Sequence, residues 1–119
     1  RRMPMKKVAL FAFNGEAMCL VHVLLNALEM KDKGYEVKVI IEGTATKLIR
    51  DLTAAPTPFT PLYEKVKAAG LIDCVCQACS KKTGSYDEAT AQGLPVCGEM
   101  MGHPSMARYR EAGYELIVF

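Results

Sequence analysis

The chain has 119 residues, of which half are apolar and 24% are charged, a composition typical of a globular domain. Its formal net charge of +2 is too small to suggest direct binding to nucleic acid or to an anionic membrane surface. No apolar run approaches the roughly 20 residues that span a bilayer. We therefore expect one cytoplasmic domain over residues 6–119, preceded by a short amino-terminal extension over residues 1–5.

Strand-like and helix-like segments alternate along the whole chain. Apolar runs predict strands near residues 7–13, 36–42, 71–76, 94–97 and 114–119. Between them, the pattern predicts helices over residues 17–33, 44–52 and 61–69, another helix that begins at Cys76 or Gln77, and a last helix that opens at His103–Pro104. Four glycines mark helix-to-strand junctions, namely Gly34, Gly70, Gly93 and Gly113.

This alternation predicts the fold class. Strands connected through helices pair in parallel, and helices then cover both faces of the sheet. The runs at residues 8–12 and 37–41 are apolar at nearly every position, as expected for strands that are buried on both faces. We expect a single-domain three-layer α/β/α sandwich with a mainly parallel five-stranded sheet.

The cysteines are the most informative residues. There are five of them: Cys19, Cys74, Cys76, Cys79 and Cys97. The odd count, together with the absence of a recognisable secretory signal, argues against a secreted disulfide scaffold. Ligands of open parallel sheets bind beyond the carboxyl ends of the strands. Cysteines occupy two of the four predicted carboxyl ends of strands that could line such a site. The sequence therefore predicts thiol chemistry or metal binding at this edge of the sheet.

Cys76 is the strongest single candidate. At the start of a helix, its sulfur would lie near free N–H groups and the positive end of the helix dipole, which lower the pKa of a thiol. Cys79 follows one helical turn later and could bring a second sulfur alongside, and Cys74 could point to the same face. His103 and Cys97 are supporting candidates, although a loop or capping role is the simpler interpretation of His103.

Several classes of site lack their signatures in the sequence. There is no glycine-rich phosphate loop and no serine in a nucleophile-elbow pattern. Two carboxylates, Glu42 and Glu99, follow predicted strands, and we expect both to be solvated. Cys19 lies in an apolar helix and is expected to be structural.

The chain resembles the DsrE/DsrF-like family of small α/β sulfur-relay proteins. The resemblance rests on the opening strand at residues 7–13, on the helix that ends in Lys-Gly-Tyr-Glu at residues 33–36, and on the segment from Cys76 to Gly84. In the family, a sulfur-carrying cysteine begins a helix that ends in a glycine about two turns later, and Cys76 and Gly84 match this arrangement. The resemblance implies a sulfur carrier or sulfurtransferase that forms a persulfide on Cys76 and passes sulfur from a donor protein to an acceptor, without a cofactor. It also implies a trimer or hexamer, or a hetero-oligomer with related subunits.

The number of cysteines leaves alternatives open. Cys74, Cys76, Cys79 and Cys97, perhaps with His103, supply enough soft ligands for tetrahedral zinc. Cys79 could instead resolve an oxidised Cys76 into a disulfide, which suits thiol-redox chemistry. In a third interpretation the cysteines only pack, within a non-catalytic oligomeric subunit.

Overall fold

Five strands, each connected to the next through one or two α-helices, form the fold in the computed structural model, which describes residues 5–119; residues 1–4 of the predicted extension lie outside it. The strands are β1 (Lys7–Ala12), β2 (Glu36–Ile41), β3 (Ile72–Cys76), β4 (Val96–Cys97) and β5 (Glu115–Val118). The helices are α1 (Ala17–Asp32), α2 (Lys47–Ala54), α3 (Thr60–Ala68), α4 (Gln77–Thr83), α5 (Tyr86–Ala91) and α6 (Met106–Glu111).

The five strands form one sheet in the order β4-β3-β2-β1-β5, and each strand pairing is parallel. The predicted α/β sandwich is therefore confirmed, and the sheet is more regular than the mainly parallel one that we expected. Because all strands run the same way, their carboxyl ends meet at one edge. Among residues 5–119, no helix combines the length and apolarity needed to cross a bilayer.

Strand β1 shows why the sheet strands are apolar on both faces. Leu10 belongs to the larger core cluster, whereas the next residue, Phe11, belongs to a second cluster. Helices α1, α2 and α3 contribute to the larger cluster, and α6 packs on the second one through Tyr109. Successive strand side chains point to opposite faces, so both faces need apolar residues.

The helix boundaries differ from the sequence prediction at several places, and α2 begins at Lys47 rather than at residue 44 because Gly43–Thr46 form a 3-10 helix. The last helix does not open at His103–Pro104, because α6 begins at Met106 and the side chain of Ser105 accepts a hydrogen bond from Arg108 N at 3.2 Å. Helix α4 ends at Gly84, with a φ of 78°, as the resemblance implied, but a second short helix that was not predicted, α5, follows it. The four predicted glycine junctions are confirmed, with φ between 72° and 91°.

Cys74 and Cys97 form a disulfide between β3 and β4, with their Cα atoms 5.8 Å apart. This corrects the expectation that the cysteines remain thiols. Strand β4 contributes only two residues to the sheet edge, where Val75 pairs with Val96 and Cys76 with Cys97. The disulfide therefore fastens a very short edge strand to the carboxyl end of β3.

We expect Cys97→Ser to lower the free energy of unfolding by up to about 3 kcal/mol, because the disulfide closes a loop across 23 positions. Urea denaturation under non-reducing conditions measures this difference. Cys19→Ser is the matched control, since Cys19 is a free cysteine. A reductant should remove the difference between Cys97→Ser and the unsubstituted protein; a difference that persists would show that the bond is not its cause.

Candidate thiol–histidine site

Three potential ligand side chains meet at the carboxyl edge of the sheet. The Sγ atoms of Cys76 and Cys79 and a ring nitrogen of His103 all lie within 4.8 Å of one another. His103 Nδ1 is 3.2 Å from Cys76 Sγ and 3.6 Å from Cys79 Sγ. We refer to these three residues as the thiol–histidine group. One imidazole nitrogen thus contacts both sulfurs.

The junction between β3 and α4 positions the two sulfurs. Cys76 ends β3 in an extended conformation and is the N-cap of α4, as the sequence predicted. Its Sγ accepts a hydrogen bond from the backbone N–H of Cys79 at 3.4 Å. A residue three positions after an N-cap presents its N–H to the cap side chain, so the cap geometry brings Cys79 towards Cys76.

The expected lowering of the Cys76 pKa is wrong. Cys76 is completely buried, and this burial raises the pKa of its thiol to about 12. The hydrogen bond from Cys79 N favours the thiolate but is the smaller effect. Cys79 is only half-buried. Cys79, the second candidate from the sequence after Cys76, is therefore the more accessible of the two thiols.

His103 reaches the sulfurs because the preceding loop lies directly against the first turn of α4. Ala78 N donates a hydrogen bond to Gly102 O at 2.8 Å, and the thiol of Cys76 is 3.5 Å from the same oxygen. The backbones of Met100 and His103 are joined by two hydrogen bonds, of 2.9 and 3.0 Å. Met101, between them, has a φ of 52°. The loop is thus a tight turn that holds His103 close to α4.

Two glycines make this close approach possible. A Cβ on Gly102 would lie 3.0 Å from Ala78 Cβ, and a Cβ on Gly98 would lie 2.3 Å from Gln77 Oε1. Gly102 also has a φ of 94°, which residues with a side chain rarely adopt. Both the contact and the backbone conformation therefore require glycine at position 102.

Glu99 braces the far side of the same loop. Its Oε1 accepts hydrogen bonds from Ser105 N at 2.8 Å and from Arg108 Nε at 3.1 Å. The bond from the Ser105 N–H is the main cause that holds the pKa of Glu99 below its usual value. Glu99 thereby ties the loop to the start of α6.

Glu42 is a buried carboxyl close to the carboxyl edge of the sheet, which corrects the expectation that it is solvated. It directly follows β2, is only 9% exposed, and its Oε2 has no hydrogen-bond partner among residues 5–119. Burial raises the pKa of Glu42, and the charge of His103 opposes that shift. Glu42 also raises the pKa of Cys76. In the sequence, the position of Glu42 directly after an apolar strand and before Gly43 is the signal that could have indicated its burial.

The remaining candidate cysteines lie elsewhere. Cys74 belongs to the second core cluster, where its Sγ is 3.4 Å from the Tyr109 hydroxyl, and its disulfide occupies Cys97 as well. The proposed ligand set of Cys74, Cys76, Cys79 and Cys97 is therefore not assembled. The structure groups two of those cysteines with His103 instead, which sequence reasoning had treated as a supporting residue. Cys19 lies on α1, outside the group.

Comparison with known proteins identifies relatives without an assigned activity. No family model matches the chain. An uncharacterized protein of Methanocaldococcus jannaschii, MJ0733, is 36% identical over 98 residues, which cover 82% of this chain and 78% of that protein. The chain belongs to the MJ0733 family. An uncharacterized protein of Archaeoglobus fulgidus is 51% identical over 41 residues, covering 34% of this chain and 67% of that protein.

A solved structure confirms the architecture of this MJ0733 relative. A protein of unknown function from Bacteroides thetaiotaomicron aligns with 96% of the chain and 95% of its own length, with a TM-score of 0.74 and 18% identity. At that identity the likeness establishes the fold alone. The DsrE/DsrF-like resemblance stays a prediction, and the function has to be argued from the thiol–histidine group.

We expect Gly102→Ala to separate His103 from the two sulfurs and to destabilise the protein by roughly 1–3 kcal/mol, since it combines a strained backbone with a close contact to Ala78. Gly34→Ala is the matched control, because Gly34 has a similar φ of 90° but nothing within 4 Å of an added Cβ. Urea denaturation measures stability, and the Cys79 alkylation rate reports on the group. Equal effects of both substitutions on the alkylation rate would contradict this role for the loop.

Proposed function

We propose that the protein is a sulfur carrier in which Cys79 loads and unloads sulfane sulfur and Cys76 holds it as a persulfide. The observation that carries this proposal is that one nitrogen, His103 Nδ1, lies 3.2 and 3.6 Å from the two sulfurs. A shared nitrogen can take a proton from either thiol and return it. Such an arrangement suits repeated transfer between neighbouring thiols.

The assignment of the entry step to Cys79 follows from exposure. A donor persulfide must reach the attacking sulfur, and Cys79 is half-buried whereas Cys76 is fully buried. The sequence alone favoured Cys76 for both steps. Burial of Cys76 now supports a storage role, because a persulfide held away from solvent is protected from reduction by external thiols.

The loading step balances without a cofactor. The Cys79 sulfur attacks the outer sulfur of a donor persulfide, R–S–SH, forms Cys79–S–SH and releases R–S⁻. The proton of the Cys79 thiol passes to His103 and then to the released thiolate. One sulfur–sulfur bond forms as another breaks, so there is no net oxidation.

The internal step has the same chemistry. The Cys76 sulfur attacks the outer sulfur of Cys79–S–SH, which yields Cys76–S–SH and restores the Cys79 thiol. The two Sγ atoms lie within 4.8 Å of each other, so only a small movement is needed. Unloading to an acceptor thiol reverses the sequence through Cys79. The proposal includes a donor protein and an acceptor protein, and an oligomer of this chain or of related subunits.

We expect Cys79→Ser to slow persulfide formation by roughly tenfold or more, because the accessible thiol is lost. Metal-free protein with its disulfide intact is incubated with inorganic polysulfide, alkylated, and analysed by peptide mass spectrometry for one added sulfur atom. In Cys76→Ser the added sulfur should accumulate on Cys79, whereas in the unsubstituted protein it should be found mainly on Cys76.

Cys19→Ser serves as the control, since it removes a free cysteine outside the thiol–histidine group. It should load at the unsubstituted rate. Loading of Cys79→Ser at that same rate would overturn the entry role of Cys79, and loading on Cys19 alone would overturn the proposed function.

A further inference from the structure

We infer that the thiol–histidine group also binds a thiophilic divalent cation of the zinc class, with Cys76 Sγ, Cys79 Sγ and His103 Nδ1 as the three protein ligands. This goes beyond sulfur transfer, because it assigns the same atoms a metal-bound state. Two thiolates and an imidazole form a donor set that favours zinc over magnesium or calcium, which prefer oxygen ligands.

The distances fit a tetrahedral ion. Zinc–sulfur and zinc–nitrogen bonds at the tetrahedral angle place sulfur and nitrogen about 3.6 Å apart. His103 Nδ1 is 3.6 Å from Cys79 Sγ and 3.2 Å from Cys76 Sγ. Of the two sulfur–nitrogen pairs, only the second has to open slightly. The two sulfurs lie within 4.8 Å of each other, so all three ligand atoms are already close to the positions that an ion requires.

The donor atoms of the group also converge on one another. Cys76 Sγ has three polar neighbours, namely His103 Nδ1, Gly102 O and the N–H of Cys79. Cys79 Sγ approaches the same nitrogen, so two sulfurs face one imidazole nitrogen. An ion that replaces the two thiol protons would contact both sulfurs and the nitrogen at once.

Glu42 provides an independent observation. A buried carboxyl oxygen without a hydrogen-bond partner is costly, and such atoms call for an explanation such as an absent ion or water. Glu42 Oε2 is such an atom, and Glu42 directly follows Ile41, the register partner of Val75, so it lies next to Cys76 across the two neighbouring strands. Its negative charge would stabilise a cation on the group, while water fills the fourth coordination position.

Metal and sulfur then exclude each other. Both states use the lone pairs of Cys76 and Cys79, so an ion held by these sulfurs prevents either from attacking a persulfide. The metal-bound protein is therefore inactive as a sulfur carrier, and chelation releases the thiols.

The test uses reduced free thiols, an intact Cys74–Cys97 disulfide, and zinc or cobalt as the probe. We expect one ion per chain after gel filtration, measured by elemental analysis, and a thiolate-to-cobalt absorption band with Co²⁺. Cys79→Ser and His103→Gln should each weaken binding by roughly tenfold or more, Glu42→Gln should weaken it less, and Cys19→Ser should bind normally.

Two results would overturn the inference: less than half an ion per chain in the unsubstituted protein, or equal occupancy in the unsubstituted protein and in Cys79→Ser. Circular dichroism confirms that each variant is folded. The persulfide assay is run without metal, so it can succeed when metal binding fails. Loss of metal binding with persulfide loading intact would refute only the metal site, and the reverse result would refute only the carrier.

Discussion

The candidate site depends on one contact between backbones: the hydrogen bond from Ala78 N to Gly102 O, at 2.8 Å. It joins the first turn of α4, which carries Cys79, to the loop that carries His103. Glycine at position 102 allows the loop to come this close. Without this contact the two cysteines would still sit one helical turn apart, but no nitrogen would lie between their sulfurs.

Burial distinguishes the two thiols of the group. Cys76 is sealed at the end of a strand that is covered on both faces, which raises its pKa, whereas Cys79 is within reach of solvent. In the proposed sulfur carrier, Cys79 is the entry point and Cys76 is the protected position. The same burial favours a bound cation, because a metal ion neutralises thiolates that would be costly to hold in a dry environment.

The edge of the sheet carries two kinds of sulfur site side by side. The disulfide between Cys74 and Cys97 fixes β4 to β3. Cys76, two residues after Cys74, belongs to the thiol–histidine group. The disulfide has a structural role. Its removal should lower the stability of the fold before it affects the free thiols of the thiol–histidine group. MJ0733 is uncharacterized, and the Bacteroides protein with the same fold is of unknown function. The possible functions of this chain therefore have to be distinguished by the chemistry of the cysteines at this edge of the sheet.

The sequence by itself determined the alternating α/β architecture, the glycine junctions and the strand-to-helix position of Cys76, because these depend on local periodicity and backbone preference. The tertiary structure alone decided the disulfide, the burial of Glu42, the raised pKa of Cys76 and the place of His103. Each of these depends on atoms brought together from distant segments. Desolvation and loop packing are properties of that assembly, which spacing within one segment does not encode.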